Sequence, residues 1–141
     1  MPADVFGDLQ EWGDVLETLE DLRKAEALDH HQSGLARLIR CRSNWRLQEE
    51  ALISAAQVRS PSRVLVEAAL ALLRDDDELL ENRILAAHAL GAMLAAGRAR
   101  SECEVAVDQV LASMKGLLRE DAPPVFRGAI RRACGQAESA S

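Results

Sequence analysis

Two stretches of the sequence repeat one pattern, and this repetition decides the fold. Residues 82–91 read NRILAAHALG, and residues 126–135 read FRGAIRRACG. In each stretch an arginine, Arg83 or Arg127, is followed by small residues and a terminal glycine, and the two arginines are 44 positions apart. A repeat of this length is typical of stacked helical units, each of which covers the apolar face of its neighbour.

The residues that precede each stretch are also similar. Residues 72–77 read LLRDDD and residues 117–121 read LLRED, so two leucines and an acidic turn come before both repeated stretches. A third, weaker copy begins at Arg46 and lacks both the acidic turn and the final glycine. Over about residues 38–136 this pattern resembles the HEAT family of helical repeats. The resemblance implies a right-handed α-α superhelix of stacked helical hairpins that holds another macromolecule.

Apolar residues recur at helical spacing along the whole chain, with no alternation of the kind that a half-buried strand needs. The spacing predicts an all-α fold of about six or seven helices, over residues 8–28, 35–42, 45–58, 61–74, 78–96, 101–118 and 123–136. We expect one domain, composed of an acidic capping hairpin (4–42), HEAT-like repeats (43–136) and a frayed tail (137–141).

Two details of the repeat predict how the helices pack. Gly91 removes a side chain where two helix axes are expected to cross, so a neighbouring helix can approach closely. Arg83 and Arg127 lie in the first turns of their helices, where the helix dipole disfavours a positive charge. We therefore expect each arginine to find an acid in the preceding turn, among residues 75–77 and 120–121.

The charge of the chain is uneven. The 141 residues carry a net charge of −6 and are 48% hydrophobic. Residues 1–29 hold nine acids against Arg23 and Lys24, a balance of −7, whereas residues 30–141 carry +1. An acidic strip on a nearly neutral body argues against general binding to nucleic acid, which requires a basic surface. The N-terminus resembles no secretory signal and no apolar stretch is long enough for a membrane span, so we expect a cytoplasmic protein without a membrane partner.

The sequence offers no residue set from which to assemble an enzyme. It contains no nucleophile elbow and no glycine-rich phosphate loop. It also lacks the His-Glu pairs that characterise the HEAT-like di-iron hydroxylases. His30, His31 and His88 are expected to be turn or packing residues, and Cys41, Cys103 and Cys134 to be free, largely buried thiols. We predict neither catalysis nor a cofactor or metal.

The expected function is a protein-interaction module or adaptor that binds another protein along the second helices of its hairpins, taken as residues 61–74 and 101–118. Charged residues at helical spacing are expected to border that face, namely Arg63, Glu67 and Arg74 on one helix and Glu104, Asp108 and Lys115 on the other. An alternative stays open, in which the chain binds nucleic acid through a local basic patch of Arg37, Arg40, Arg42 and Arg46.

Overall fold

The computed structural model describes residues 4–100 and 105–140, and this part of the chain forms seven α-helices and no strand. The all-α prediction is confirmed. The helices are α1 (Trp12–Lys24), α2 (Gln32–Ile39), α3 (Trp45–Ala55), α4 (Arg63–Arg74), α5 (Leu80–Arg98), α6 (Val107–Lys115) and α7 (Pro124–Ser139). A 3₁₀ turn over Leu28–His31 leads into α2, and α7 continues past its expected end near Gln136. None of the described helices combines the length and apolar character that crossing a membrane requires.

Side-chain caps fix where the two central helices begin. The side-chain oxygen of Asn44 accepts hydrogen bonds from the backbone N–H groups of Arg46 and Leu47, both at 3.1 Å, so α3 starts at Trp45 as predicted. The Ser62 hydroxyl accepts from the Leu65 N–H at 3.3 Å at the start of α4. Each cap satisfies a backbone donor that has no partner within its helix.

The helices pack in an alternating order. Helices α1, α3, α5 and α7 each contact the next member of that series, and α5 packs most extensively against α7. Helix α2 packs against α4 in a second series. Between the series, α2 pairs with α3, α4 with α5, and α6 with α7. The structure thus corrects the expected pairing, since α3, α5 and α7, and not α4 and α6, are the second helices of the hairpins.

Loop contacts show that the helices of one series run in the same direction. The Asp29 carboxylate, after α1, accepts from the backbone N–H groups of Arg59 and Ser60, after α3, at 3.0 and 2.7 Å. Arg100, after α5, donates to the Arg59 carbonyl at 3.1 Å. At the opposite edge, Arg42 lies 2.7 Å from Asp75, which joins the loop before α3 to the loop before α5.

The close approach expected at Gly91 is present between α5 and α7. A β-carbon on Gly91 would lie 2.8 Å from the Ala133 Cα and 2.9 Å from its Cβ, closer than non-bonded carbons can stand. Ala133 is itself buried, as is Ala129 one turn earlier. The two stretches that repeat in sequence therefore pack directly on each other, as equivalent neighbouring units would.

Equivalent positions in the first turns of α3 and α5 reach the end of the preceding helix. The Arg83 Nε donates to the Leu73 carbonyl at 2.9 Å, and the Gln48 side chain donates to the Ile39 carbonyl at 3.0 Å. Both are the fourth residue of their helix. Gln48, and not Arg46, is therefore the counterpart of Arg83 in the first unit. Arg46 is exposed beside Glu50.

The acid expected beside each repeated arginine is found at one of the two. Arg83 lies 3.4 Å from Asp76, which confirms that prediction. The corresponding prediction for Arg127 is wrong for the residues that the structure describes. Asp121 pairs with Arg119 instead, and the buried Arg127 Nε lacks a hydrogen-bond partner.

Candidate interaction site

Helix α3 carries an exposed stripe with two large hydrophobic side chains, whereas α7 exposes one, Val125, and α5 exposes none. Trp45 is 53% exposed and Ile53 is 37% exposed, and Glu49 lies between them at one-turn spacing. The opposite side of α3 is buried through Leu47, Ala51 and Ala55. Because the helix is anchored on that side, the stripe is held toward solvent. A hydrogen bond also fixes the backbone at Trp45, because its backbone carbonyl accepts from the buried Asn82 side chain at 3.1 Å.

Sequence reasoning identified Trp45 only as the first residue of a helix. The inward residues of α3 were predicted correctly, and positions 45, 49 and 53 fall on the side away from Leu47, Ala51 and Ala55 at 100° per residue. That geometry was the available signal for an exposed tryptophan. It was missed because tryptophan is highly buried on average.

Helix α1, the neighbour of α3, carries negative charge on its outward side. It packs against α3, and Arg23 of α1 lies 3.4 Å from Glu50 of α3. The outward side of α1 is acidic and exposed, through Asp14, Glu17, Glu20 and Asp21. A surface that combines apolar and acidic groups suits a ligand with apolar and basic side chains.

Of the six residues predicted to border the binding face, the structure describes five, and four of these line three different grooves. Arg63 and Glu67 make an ion pair at 3.1 Å beside a groove between α4 and α6. Arg74 lines a different cavity, at the loops before α5 and α7. Asp108 pairs with Arg98 at 2.7 Å and Lys115 with Glu138 at 2.8 Å, whereas Glu104 falls outside the described residues.

The basic patch predicted from the sequence is largely neutralised by acids of the chain. Arg37 pairs with Asp4 at 2.6 Å, Arg42 with Asp75 at 2.7 Å, and Arg46 with Glu50 at 3.8 Å. Of these three acids, only Asp4 belongs to the acidic N-terminal region, residues 1–29, that the sequence indicated. Arg40 is exposed, beside a shallow groove between α2 and α4.

The Asp4–Arg37 pair ties the N-terminal segment to α2. Two hydrogen bonds of 2.7 and 2.6 Å join the guanidinium to the carboxylate, and Phe6 is buried over Gly34. The hydrogen bond from Arg37 is the main reason why the pKa of Asp4 lies below its ordinary value of 3.8. The same bond raises the pKa of Arg37.

Replacing Asp4 with asparagine should therefore destabilise the protein in a pH-dependent way. Because folding lowers the pKa of Asp4, its stabilising contribution is complete above pH 3.8 and is lost as the pH falls through the lower folded value. We expect Asp4→Asn to lower the free energy of unfolding by about 1 kcal/mol at pH 7, since the Asp4–Arg37 pair is partly exposed. Urea unfolding from pH 7 to strong acid measures this, and a loss that persisted unchanged in acid would contradict it.

The histidines and the two described cysteines are not gathered at one site. His30 and His88 are exposed, on the 3₁₀ turn and on α5, and the carboxylate beside His30, that of Asp29, is occupied by backbone N–H groups. Over residues 4–100 and 105–140, no three His, Cys, Asp or Glu side chains are grouped as metal ligands. Cys41 is half-buried and Cys134 is buried, and burial raises the pKa of the Cys134 thiol; Cys103 falls outside the described residues.

Arginines gather in the cavity at the loops before α5 and α7. This cavity of about 330 Å³ is lined by Arg74, Arg83 and Arg119, together with Asp76 and Asp121. Phe126 also lines it, and its ring centre lies 4.3 Å from the guanidinium carbon of Arg83. Arg74 was singled out from the sequence, but its grouping with the other two arginines depends on the packing of the loops.

No family model, curated protein or solved structure matches this chain. Its function is therefore inferred from the surfaces described above.

Proposed function

We propose that the chain is a non-enzymatic, HEAT-like interaction module that binds a partner protein along its second-of-hairpin helices, α3, α5 and α7. The observation that carries this proposal is the exposed stripe of Trp45 and Ile53 on α3. Aromatic side chains dominate the energetics of protein interfaces, and an exposed tryptophan on a rigid helix loses little conformational freedom on binding.

The right-handed superhelix is part of the same proposal. The contact series α1, α3, α5, α7 supports the stacking of the helices, as do the loop contacts among Asp29, Arg59 and Arg100. Helices stacked in this manner leave one continuous face on each side, and such faces are what repeat proteins use for binding.

The proposed partner is a protein segment that carries an apolar anchor and basic residues. The apolar anchor would pack on Trp45 and Ile53. The basic residues would face α1, where Asp14, Glu17 and Asp21 have no ion-pair partner among the described residues. Complementary charge of this kind raises the rate of association and selects among partners.

Affinity capture from the source lysate with a photoreactive aromatic residue in place of Trp45 tests the proposal. A basic protein should be cross-linked covalently from position 45. The double variant Trp45→Glu/Ile53→Glu should reduce its recovery by about tenfold or more, as loss of an interface hot spot does.

A second double variant, Glu67→Lys/Asp108→Lys, examines the face first predicted from the sequence. These exposed charges on α4 and α6 should leave recovery unchanged. If charge reversal abolished capture while Trp45→Glu/Ile53→Glu did not, the partner would bind the other face and the proposal would be wrong.

Binding to nucleic acid is less favoured as a function. Three arginines of the basic patch are paired within the chain, so few counterions would be released from phosphates. Filter-binding titrations with DNA and RNA at two salt concentrations separate the two functions. We expect no saturable binding, whereas tight binding that weakens steeply with salt would favour the nucleic-acid alternative.

A further inference from the structure

The cavity at the loops before α5 and α7 contains one arginine that is fixed before any ligand arrives. Arg83 is only 9% exposed, its Nε donates to the Leu73 carbonyl at 2.9 Å, and its guanidinium lies 4.3 Å from the centre of the Phe126 ring. These contacts hold the side chain in one conformation. A ligand that binds its remaining N–H groups therefore loses little free energy to ordering this side chain.

The acids already in this cavity leave much of the hydrogen-bonding capacity of the arginines unused. Asp76 is 3.4 Å from Arg83 and Asp121 is 3.3 Å from Arg119, and the two carboxylates are 82% and 75% exposed. Charge-assisted hydrogen bonds of good geometry measure about 2.7–2.9 Å, so both pairs are weak. Arg74 has no partner among the described residues. Among the residues that line the cavity, three guanidinium groups against two carboxylates leave one net positive charge.

We propose that this cavity binds a phosphomonoester dianion, carried by a phosphorylated side chain of a partner protein segment. A phosphate group offers three acceptor oxygens and about two negative charges, which match the three arginines better than a carboxylate does. On binding, it displaces Asp76 and Asp121 into the solvent that they already face. A nucleic-acid strand fits less well, since Asp77 and Glu120 flank the cavity in sequence and repel a continuous polyanion.

The phosphate-binding part of the proposal is independent of the function proposed above, whereas the phosphorylated partner rests on it. The two are separated by the choice of probe. Heteronuclear NMR titrations at pH 7.5 would use inorganic phosphate, a short phosphoserine peptide, its unphosphorylated form and a single-stranded DNA oligonucleotide. We expect saturable binding of the first two, and at least tenfold weaker binding of the other two, at the same residues around the cavity.

Matched arginine variants locate the site. Arg74→Ala/Arg119→Ala should weaken binding of the phosphoserine peptide by about tenfold or more, because each lost charge-assisted hydrogen bond is worth roughly tenfold in affinity. Arg131→Ala/Arg132→Ala removes the same charge from exposed positions of α7 outside the cavity and should change affinity less than about twofold. Circular dichroism would confirm that both variants fold.

Three results would overturn the proposal. The first is the absence of saturable binding by inorganic phosphate and phosphoserine peptide alike, even if Trp45 still cross-links a partner. The second is an equal loss in the two arginine variants, which would indicate nonspecific attraction. The third is tighter binding of the oligonucleotide than of the phosphopeptide. If inorganic phosphate bound but the phosphoserine peptide did not, the proposal of a phosphorylated partner would be overturned. The interaction face on α3 would still be tested separately by cross-linking from position 45.

Discussion

Replacing Gly91 with valine is expected to lower the free energy of unfolding by about 3 kcal/mol, at the upper end of the cost of overpacking a core. The obstacle is backbone, because the Ala133 Cα would lie 2.8 Å from the new β-carbon. Neither a rotamer change nor the loss of a flexible side chain can relieve such a contact. Helices α5 and α7 would have to separate, and their packing is the most extensive among the described helices. Chemical unfolding in urea measures the change.

Gly135 provides the matched control. It also lies in the interior of a helix, α7, but it is exposed, and a β-carbon there would meet nothing within 4 Å. Gly135→Val should change the stability by less than about 1 kcal/mol, in the stabilising direction, because valine has the higher helix propensity. Equal effects at the two glycines would mean that α5 and α7 do not approach each other as described.

The sequence predicted the α5–α7 contact because that contact has a local signature. Small residues and a glycine at equivalent places in two stretches mark helices that approach closely. The pairing of helices into hairpins has no such signature. Each helix carries apolar residues toward neighbours on two sides, and the loops on either side of α4 are of similar length. Which neighbour becomes the partner depends on the whole packing.

The candidate surfaces were harder to predict than the fold, for two physical reasons. Gln48 and Arg83 are equivalent because each donates one hydrogen bond to the end of the preceding helix. Their side chains are chemically different, so the sequence alone does not indicate this equivalence. The arginine cavity joins Arg74, Arg83 and Arg119, which come from separate segments. Residue spacing along a helix cannot reveal a site whose members meet only when the loops stack.

Arg83→Met is the second substitution for which we expect a large effect. It should lower the free energy of unfolding by about 3 kcal/mol. Methionine fills a similar volume but cannot donate to the Leu73 carbonyl, and a buried acceptor left without its partner costs about 1–3 kcal/mol. The loss of the cation from the face of Phe126 adds about 1 kcal/mol. The exposed Asp76 carboxylate contributes little, because water solvates it in either protein.

Two comparisons identify the source of this loss. Arg131→Met makes the same change at an exposed position of α7 and should alter the stability by less than about 0.5 kcal/mol. In a double-mutant cycle with Phe126→Leu, the coupling energy with Arg83 should be about 1 kcal/mol. Gln48→Leu should cost about 1 kcal/mol through the Ile39 carbonyl, since Gln48 makes the equivalent bond without the aromatic contact. A neutral Arg83→Met would show that the first turns of α3 and α5 are not equivalent anchors, and the repeat would lose its structural basis.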